Sequence, residues 1–336
     1  MIVLSQRDIG ELLSMRDCIG VMAGALGALA RGESLVPLRT VVRLPGGSDV
    51  FALMPAVMGD PPALGAKIIT VFHGNHGTAY DSHQGAVLLF DAANGSLTAV
   101  LDATAITSIR TAAVSALATR LLARGDADDL AILGSGVQAR MHLEAIPLVR
   151  RIRRVRIWSR NRKNAEKLLL DTRAVRGDAP FETIICDTAE EAVRDASIVC
   201  ATTSAHEPVL LGRWVAAGAH VNAVGACTPR AREIDSEMVK RARLFVDSRV
   251  SALNEAGDII TPIQEGDITP DHIVAELGEV IAGLREGRRS PTEVTLFESL
   301  GLAIEDLAAA RHVHALAESR PVGTIIDLGG SRHAPA

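Results

Sequence analysis

The sequence predicts an α/β protein in which a doubly wound parallel sheet is joined to a smaller α+β domain. Three observations predict this class. From residue 129 onward, short apolar segments alternate with helix-length intervals, as in parallel strands joined by crossover helices. A turn with two glycines, Gly134-Ser135-Gly136, follows the first of those segments. Before residue 120, apolar segments follow one another closely enough to pair as antiparallel hairpins. Together these observations indicate a Rossmann-type sheet with an additional domain.

The overall composition fits two globular domains. The chain has 336 residues, of which 48% are hydrophobic, 22% charged and only 3% aromatic, so the core is expected to be aliphatic. A net charge of −5 gives no general attraction to nucleic acid or to an anionic membrane. The four cysteines form neither a C-x-x-C pair nor a zinc spacing, so no metal is expected. We find neither a secretion signal nor an apolar run of about 18 residues, and expect a cytoplasmic protein.

The first domain is predicted to contain helices, strands and a long helix, in that order. Residues 5–31 are predicted to form one or two amphipathic helices. Ser5 is a candidate N-cap of the first, and Gly32 is the candidate residue at which the last one stops. Alternating apolar residues then predict strands at 40–44, 50–54, 66–71, 86–90 and 97–101. An Ala-rich helix is predicted over residues 104–124. We expect residues 1–120 to form this first domain, joined by a C-terminal helix at 298–320.

The second domain, residues 121–297, is predicted to be a parallel sheet with crossover helices. Its predicted strands lie near 130–133, 155–158, 183–186, 197–202, 219–224 and 243–247. Its predicted helices lie near 136–147, 162–172, 188–194 and 234–241, with a further one at 271–287. A last apolar helix is predicted over 296–317. Because it follows the completed sheet, we expect it to pack on the first domain.

The glycine turn has the spacing of a dinucleotide-binding motif. Gly134 allows a sharp turn, Gly136 allows the backbone to approach a pyrophosphate, and Ala139 keeps the following helix close to the strand. The amino terminus of that helix supplies N–H donors and a positive dipole end. The alternative is a tight strand–helix turn with no ligand. A second apolar strand at a helix-length interval favours the dinucleotide site.

The loop after the second strand indicates which dinucleotide is bound. An NAD site usually has an acidic residue there, which accepts from the ribose 2′-hydroxyl. This chain has Ser159-Arg160-Asn161-Arg162-Lys163 instead. A guanidinium can hold a 2′-phosphate through two charge-assisted hydrogen bonds, and a carboxylate would repel it. We therefore predict NADP(H) as the preferred cofactor, with NAD(H) possible; the alternative is a solvated basic loop.

Several segments together resemble the ornithine cyclodeaminase/mu-crystallin family, and the mu-crystallin branch with its ketimine reductases is the most similar. The matching segments are spread over nearly the whole chain and follow one another in the same order as in the family. The matching segments are Val36-Pro37-Leu38-Arg39-Thr40, Leu53-Met54-Pro55-Ala56, Gly65-Ala66-Lys67, Ser82-His83-Gln84-Gly85, Ile106-Thr107-Ser108-Ile109-Arg110-Thr111-Ala112-Ala113, the glycine turn, Asn222-Ala223-Val224-Gly225-Ala226, Asn254-Glu255-Ala256-Gly257-Asp258 and Phe297-Glu298-Ser299-Leu300-Gly301.

The resemblance assigns roles to several polar residues. Arg39 is implied to clamp the substrate α-carboxylate, for which the planar guanidinium is suited. Lys67 is implied to be the proton donor or hydrogen-bond partner at the imine; from its segment alone, it could also be an edge-strand charge. Arg110 is implied to reach the cofactor or the substrate carboxylate. His83, with Ser82, lies in a polar loop, so it is a site residue or only a loop histidine.

The remaining implied contacts concern mainly the cofactor. Ser299 is implied to contact substrate or nicotinamide. The residues expected to contact the cofactor are Arg110, Thr111, Gly134, Ser135, Gly136, Val137, Gln138, Ser159, Arg160, Asn161, Asn164, Thr203, Ser204 and Val224.

Two positions depart from the family pattern. Ornithine cyclodeaminases have an aspartate where this chain has Cys227, and a thiol is a poor substitute for a carboxylate that activates water. A redox-neutral cyclodeaminase is therefore disfavoured, and Cys227 is interpreted as packing. Glu298 stands where the family often has lysine, with no predicted consequence. Glu233 and Asp235 are interpreted as caps of the next helix.

These inferences predict an NAD(P)H-dependent reductase that converts cyclic ketimine carboxylates to L-amino acids. The candidate substrates are Δ1-pyrroline-2-carboxylate and Δ1-piperideine-2-carboxylate. An open-chain amino-acid or N-alkyl-amino-acid dehydrogenase is one alternative, and a mu-crystallin-like protein that mainly binds a small ligand is another. The resemblance also implies a homodimer, with residues 1–120 and the helix at 298–320 as the substrate-binding and dimerisation domain. The net charge of −5 and the lack of a long apolar run predict no nucleic-acid or membrane partner.

Overall fold

The chain folds into two compact units. The computed structural model describes residues 1–47, 49–75, 78–176 and 181–329. Unit 1 holds residues 1–110 and the segment from residue 302 onward, and unit 2 is Thr111–Gly301. The chain therefore leaves unit 1 once and returns to it after the sheet of unit 2 is complete.

Unit 1 opens with a short strand and two helices, continues as strands, and leads into unit 2 through a long helix. The elements are β1 (Ile2–Leu4), α1 (Gln6–Leu12), α2 (Met15–Ala30), β2 (Ser34–Leu35), β3 (Thr40–Arg43), β4 (Val50–Met58), β5 (Ala63–Val71), β6 (His83–Phe90), β7 (Leu97–Asp102) and α3 (Ala103–Leu122). Ser5 caps α1 in a capping box with Asp8. Gly32 follows α2 with φ 76°, a conformation that favours glycine.

Unit 2 alternates strands with helices, and the chain then closes with one helix and one strand of unit 1. The elements are β8 (Asp129–Leu133), α4 (Val137–Ala145), β9 (Arg154–Trp158), α5 (Arg162–Arg176), β10 (Glu182–Ile185), α6 (Ala189–Val193), β11 (Ile198–Ala201), β12 (His220–Ala223), α7 (Ser236–Arg241), β13 (Arg243–Val246), α8 (Arg249–Glu255), α9 (Gly257–Gln264), β14 (Ile273–Glu276), α10 (Leu277–Ile281), β15 (Thr295–Glu298), α11 (Ala303–Ala317) and β16 (Thr324–Ile325).

The sheet of unit 2 is parallel throughout, in the order β10-β9-β8-β11-β12-β15-β13-β14. The chain starts at β8, builds outward to β10, and then returns to place β11 on the other side of β8. This reversal is the topological switch point at which doubly wound sheets bind ligands. All residues of β8, β11, β12 and β15 are buried, as expected for strands covered on both faces. The predicted Rossmann-type α/β fold is confirmed.

Two predicted helices are wrong in part. Residues 271–287 contain β14 and the short helix α10 rather than one helix. Residues 295–298 form β15, so the last helix begins at Ala303 and not near 296. In both places a short apolar run continues into a helix, and hydrophobic periodicity alone does not separate a buried strand from a buried helix. Gly301, with φ 76°, lies between β15 and α11.

The sheet of unit 1 is largely antiparallel, in the order β16-β1-β7-β6-β5-β4-β2, with β3 also paired to β4. The pairing of β1 with β7 is parallel. Helix α11 packs on β4, β5, β6 and α2 within this unit. The sequence did not predict β1, β2 and β16, since strands of two or three residues carry too little alternation to be recognised.

In the part of the chain that the structure describes, no helix taken singly has both the length and the apolar character to cross a membrane. Helices α1 and α2 meet that criterion by length and composition only when they are joined across their 87° bend.

Candidate active site

Lys67 lies on the buried face of the unit 1 sheet. It occupies the centre of β5, which is hydrogen-bonded to β4 on one side and to β6 on the other. Its side chain is 2% exposed, and its Nζ lies 2.6 Å from Oδ2 of Asp306 in the first turn of α11. Nζ also donates to Oγ1 of Thr107 at 3.4 Å. The edge-strand alternative is therefore wrong, and Lys67 is a buried amine.

Opposing effects set the protonation of this amine. The pKa of Lys67 is lowered to about 8: burial lowers it most, Asp306 opposes that effect, and the charges of Arg110 and Arg39 add to it. Burial alone would raise the pKa of Asp306, but Arg110 and Lys67 hold it below its usual value. A lysine with a pKa near the working pH can both give up and regain a proton, as a general acid must.

Arg110 belongs to the same buried network. Its Nε donates to Oδ1 of Asp306 at 2.9 Å, and its Nη1 donates to Oε2 of Glu305, also at 2.9 Å. Arg110 is expected from the sequence to reach a ligand, and the structure pairs it with two carboxylates of its own unit. Glu305 and Asp306 were not predicted. Acidic residues are ordinary in the first turn of a helix, so nothing in the sequence marked these two as partners of buried cations.

Arg39 precedes β3 and is half-buried. Its charge is near enough to Lys67 to lower the pKa of that amine, so Arg39 lies close to the buried network of Lys67, Arg110 and Asp306 in unit 1. His83 instead stands at the exposed start of β6, four residues along that strand from Val87, the register partner of Lys67. Ser82 Oγ lies 3.1 Å from His83 Nδ1.

The glycine turn of unit 2 has the geometry of a phosphate cradle. Gly134 has φ 118°, and a Cβ there would lie 2.6 Å from the carbonyl oxygen of Thr202. Gly136 is the N-cap of α4 and provides no side-chain cap, and a Cβ there would meet no atom within 4 Å. The backbone at the start of α4 is thus approachable from open space. These residues fit the pyrophosphate of a dinucleotide. Ser135, Val137 and Gln138 complete the turn.

The loop after β9 lies beside the glycine turn. Ser159 Oγ is 2.8 Å from Ser135 Oγ, which links the end of β9 to the turn. The side chains of Arg160, Asn161 and Asn164 are exposed. Arg162 pairs with Glu166 and Asp187. Of the two arginines in this loop, Arg160 is therefore the better candidate for a 2′-phosphate.

Glu233 is buried between the ends of two further strands. Thr203 and Ser204 follow β11, and Val224 follows β12; the carboxylate of Glu233 accepts hydrogen bonds from the backbone N–H groups of Thr203 and Val224. The sequence indicates that Glu233 and Asp235 cap the next helix. Asp235 does cap α7, accepting from the N–H of Met238 at 2.9 Å. The interpretation is wrong for Glu233, whose side chain turns toward the carboxyl edge of the sheet.

Glu298 is the last residue of β15, which is a neighbour of β12, and Ser299 follows the strand. Ser299 is 2% exposed, and its N–H donates to the carbonyl oxygen of Ala223 at 2.9 Å. Glu298 is fully buried. Among the described residues, neither its carboxyl oxygens nor the hydroxyl of Ser299 has a hydrogen-bond partner. Burial, followed by the charges of Asp258, Glu233 and Asp247, raises the pKa of Glu298 well above its usual value.

Cys227 follows the Val224 segment. Its Sγ donates to the carbonyl oxygen of Val224 at 3.3 Å, and the residue is half-buried. Over the described ranges, no group of three or more His, Cys, Asp or Glu side chains is arranged to hold a metal ion.

The chain is similar to known proteins of one family. The sequence profile of the ornithine cyclodeaminase/mu-crystallin family matches residues 1–320. Ketimine reductase mu-crystallin of Mus musculus is 44% identical over 315 residues, which cover 93% of this chain and 96% of the mouse protein.

Two solved structures extend the match. The Δ1-pyrroline-2-carboxylate reductase of Thermococcus litoralis, in complex with NADH and L-proline, has a TM-score of 0.94 and 38% identity, and covers 97% of this chain and 100% of its own. An archaeal alanine dehydrogenase, solved as a dimer with bound NAD, has a TM-score of 0.91 and 32% identity, and covers 98% of this chain and 99% of its own.

Proposed function

The chain belongs to the ornithine cyclodeaminase/mu-crystallin family, and on that premise we propose that it is an NAD(P)H-dependent reductase of cyclic ketimine carboxylates. The proposed substrates are Δ1-pyrroline-2-carboxylate and Δ1-piperideine-2-carboxylate, and the products are the corresponding cyclic L-amino acids. The observation that carries the proposal is the buried amine of Lys67, held at 2.6 Å from Asp306 within a chain so similar to ketimine and pyrroline-carboxylate reductases.

The residues of unit 1 supply the substrate side of the reaction. Arg39 binds the carboxylate of the substrate through its planar guanidinium, which fixes the ring of the imine. Lys67 gives its proton to the imine nitrogen, so that the C=N carbon becomes electron-poor. Its pKa of about 8 makes this transfer accessible at neutral pH. Arg110 fixes Asp306 and thereby the position of the amine.

The residues of unit 2 supply the cofactor side. Gly134 and Gly136 with the start of α4 receive the pyrophosphate, and Thr203, Val224 and Ser299 at the strand ends receive the nicotinamide. When bound, the reduced nicotinamide supplies the hydride that reduces the C=N carbon. The chain contributes orientation and electrostatics to this step, since the hydride chemistry belongs to the cofactor.

We propose NADP(H) as the preferred cofactor. The support comes from the loop after β9. This loop, Ser159-Arg160-Asn161, contains no carboxylate, and the guanidinium of Arg160 is exposed. Contact with a 2′-phosphate would give this arginine a charge-assisted partner. Two of the relatives were solved with NADH or NAD, so the preference is a property proposed for this chain alone.

We also propose a homodimer formed through unit 1. One face of its sheet, called here the outer face, carries apolar side chains that are 36–51% exposed: Val42, Phe51, Leu53, Val57 and Leu64. Contiguous exposed apolar residues of this kind mark interaction surfaces. A second copy of the chain is the proposed occupant, and the archaeal alanine dehydrogenase in its dimeric form supports that choice.

An open-chain imine substrate is the second candidate. The observation that favours it is the 32% identity to an alanine dehydrogenase, whose name specifies an open-chain amino acid. The residues above bind a carboxylate and protonate an imine nitrogen whether or not the two are joined in a ring. A cyclodeaminase is not proposed, because Cys227 occupies the position at which the family's cyclodeaminases have a water-activating aspartate.

The test is oxidation of NADPH and of NADH in the presence of each cyclic imine, followed by absorbance, with pyruvate plus ammonium as the open-chain pair. We expect rapid turnover with a cyclic imine and a higher kcat/KM with NADPH. Lys67→Met is the control, expected to lose a factor of roughly 10²–10⁴ in kcat as a missing general acid. Turnover with the open-chain pair alone would replace the first candidate by the second.

A further inference from the structure

Glu233 joins the ends of two neighbouring strands through a single carboxylate. Its side chain is fully buried. Oε1 accepts a hydrogen bond from the backbone N–H of Thr203, which follows β11. Oε2 accepts from the N–H groups of Val224, at 3.2 Å, and Gly225, which follow β12. Three backbone donors on two different loops therefore converge on one side chain.

The loop backbone is shaped around this carboxylate. A Cβ on Gly225 would lie 2.0 Å from the carbonyl oxygen of Thr203 and 2.7 Å from the carboxyl carbon of Glu233. Only a residue without a side chain leaves room for the two loops and the carboxylate to pack together. The glycine and the glutamate thus form one arrangement at the carboxyl edge of β11 and β12.

A second carboxylate fixes the backbone of Glu233. Asp258, in the first turn of α9, accepts from the N–H of Glu233 at 3.0 Å and from that of Ile234 at 3.2 Å. Arg232 Nε lies 3.8 Å from the same carboxylate. Burial raises the pKa of both carboxyl groups, that of Asp258 to about 8, and each of them accepts from at least two backbone donors, which opposes this effect.

We propose that Glu233 is a positioning residue for the nicotinamide end of the cofactor. Its carboxylate fixes the backbone of Thr203 and Val224, the two segments against which we expect the nicotinamide to lie, before the cofactor arrives. The inference rests on the proposed function, because these loops line a nicotinamide only if the chain binds NAD(P)(H). The pyrophosphate turn follows a different strand, β8, so loss of Glu233 should affect one end of the cofactor and spare the other.

Glu233→Gln tests this division with little change of shape. An amide keeps one acceptor oxygen but places an NH2 group against the backbone donors of one of the two loops. We expect the Kd for the preferred reduced cofactor to rise about tenfold or more, the loss typical of one charge-assisted hydrogen bond. The Kd for the matching fragment without nicotinamide, ADP-ribose or its 2′-phosphate, should change by less than about twofold, because its contacts lie at the glycine turn.

Asp235→Asn is the matched control. Asp235 lies two residues away and also accepts from backbone donors, those of Met238 in α7 and of Gly212 between β11 and β12, but from neither Thr203 nor Val224. It should cost stability without altering the ratio of the two Kd values. Equal weakening of cofactor and fragment in Glu233→Gln, or no weakening of either, would overturn the inference.

If Glu233→Gln does not fold, amide hydrogen exchange of the unaltered protein tests the positioning role of Glu233. Without cofactor, the N–H groups of Thr203 and Gly225, which donate to Glu233, should exchange slowly, as buried hydrogen-bonded amides do. The N–H of Val224 is not informative, because it also donates to the carbonyl oxygen of Ala201 at 3.0 Å. Exchange at the rate of open loop amides would refute the positioning role. A failure of the proposed function is seen separately, as an unaltered protein that binds neither NADPH nor NADH.

Discussion

The protonation of Lys67 depends on one carboxylate that the sequence did not reveal. Burial of the amine and the charge of Arg110 both favour its neutral form, whereas Asp306 favours its charged form. The ion pair at 2.6 Å therefore decides whether a proton is available to the imine at a given pH. If Lys67 is the general acid, its environment should appear directly in the pH dependence of the rate.

Replacing Asp306 by Asn should move that pH dependence toward lower pH. Removal of the carboxylate lowers the pKa of Lys67 below its value of about 8, so the protonated amine is lost earlier as pH rises. On the alkaline side, each unit of this fall costs roughly tenfold in kcat/KM. The measurement is the pH profile of kcat/KM, with thermal unfolding recorded first, because a buried network that loses one partner can lose about 3–5 kcal/mol.

The control for Asp306→Asn is Glu305→Gln. Glu305 also pairs with Arg110, at 2.9 Å, and its loss should destabilise unit 1 in the same way. Its carboxylate is not a partner of Lys67 in the described network, so the alkaline limb should stay in place. An unmoved limb in Asp306→Asn would show that Lys67 does not supply the proton.

Arg160 is expected to determine the cofactor preference. Replacement by Ala should lower the ratio of kcat/KM for NADPH to that for NADH by about tenfold or more, since charge-assisted hydrogen bonds are worth about 1.5–3 kcal/mol. Arg162→Ala is the matched control, because its guanidinium already pairs with Glu166 and Asp187. If the two variants change the ratio equally, the basic loop acts only through its net charge.

Among the elements, the strand–turn–helix of β8 and α4 was predictable and β15 was not. The glycines at 134 and 136 have a spacing with one physical meaning, a tight turn into an open helix start. The segment 295–298 is a short apolar run with no turn signal before α11 except Gly301, so its strand character arises from parallel pairing with β12 and β13. The buried partners of Lys67 and the role proposed for Glu233 could not be predicted for a similar reason, because most of the groups that interact are far apart in the sequence.

Glu298, at the end of β15, should make the stability of the protein depend on pH. Its pKa is raised well above the usual 4.5, so in the folded state it stays protonated over a range where the unfolded chain has already released the proton. Stability is therefore lost as pH rises from about 4.5 toward the pKa of the folded state. The groups that face Glu298 and contribute to this shift are Asp258, Glu233 and Asp247.

Glu298→Gln should remove this dependence. The neutral amide does not titrate, so the variant should be more stable than the unaltered protein, by at least about 1 kcal/mol at about pH 8 and by little at about pH 4.5. Urea unfolding at both values measures the difference. Glu237→Gln, at an exposed position of α7, is the control and should change stability by less than about 0.5 kcal/mol at either pH. A gain of equal size at both values would contradict a titrating Glu298.

At the scale of the whole molecule, most of the fold could be predicted from the order of the strands and helices along the sequence. The change from hairpin spacing to strand–helix alternation near residue 129 predicted both kinds of sheet, and the family resemblance predicted the order of the segments. The outer face of unit 1 was not apparent, because β4 reads as one apolar run, Val50-Phe51-Ala52-Leu53-Met54, with no polar residue to mark its exposed side. Alternate residues of that run are nevertheless exposed.

A single lysine on the outer face should separate the proposed dimer. Leu53 lies at the middle of β4 with Thr40 and Ile68 as its register partners, so in a dimer of ordinary size, burying about 1,200–2,000 Å², its side chain would lose contact with water. Leu53→Lys would place an unpaired charge there, at a cost of several kcal/mol. Light scattering after size exclusion should give the mass of two chains for the unaltered protein and of one chain for the variant.

Leu170→Lys, on the exposed side of α5, is the control and should keep the mass of the unaltered protein. A monomeric mass for the unaltered protein, or a dimer that survives Leu53→Lys, would mean that the outer face does not join two copies of this chain.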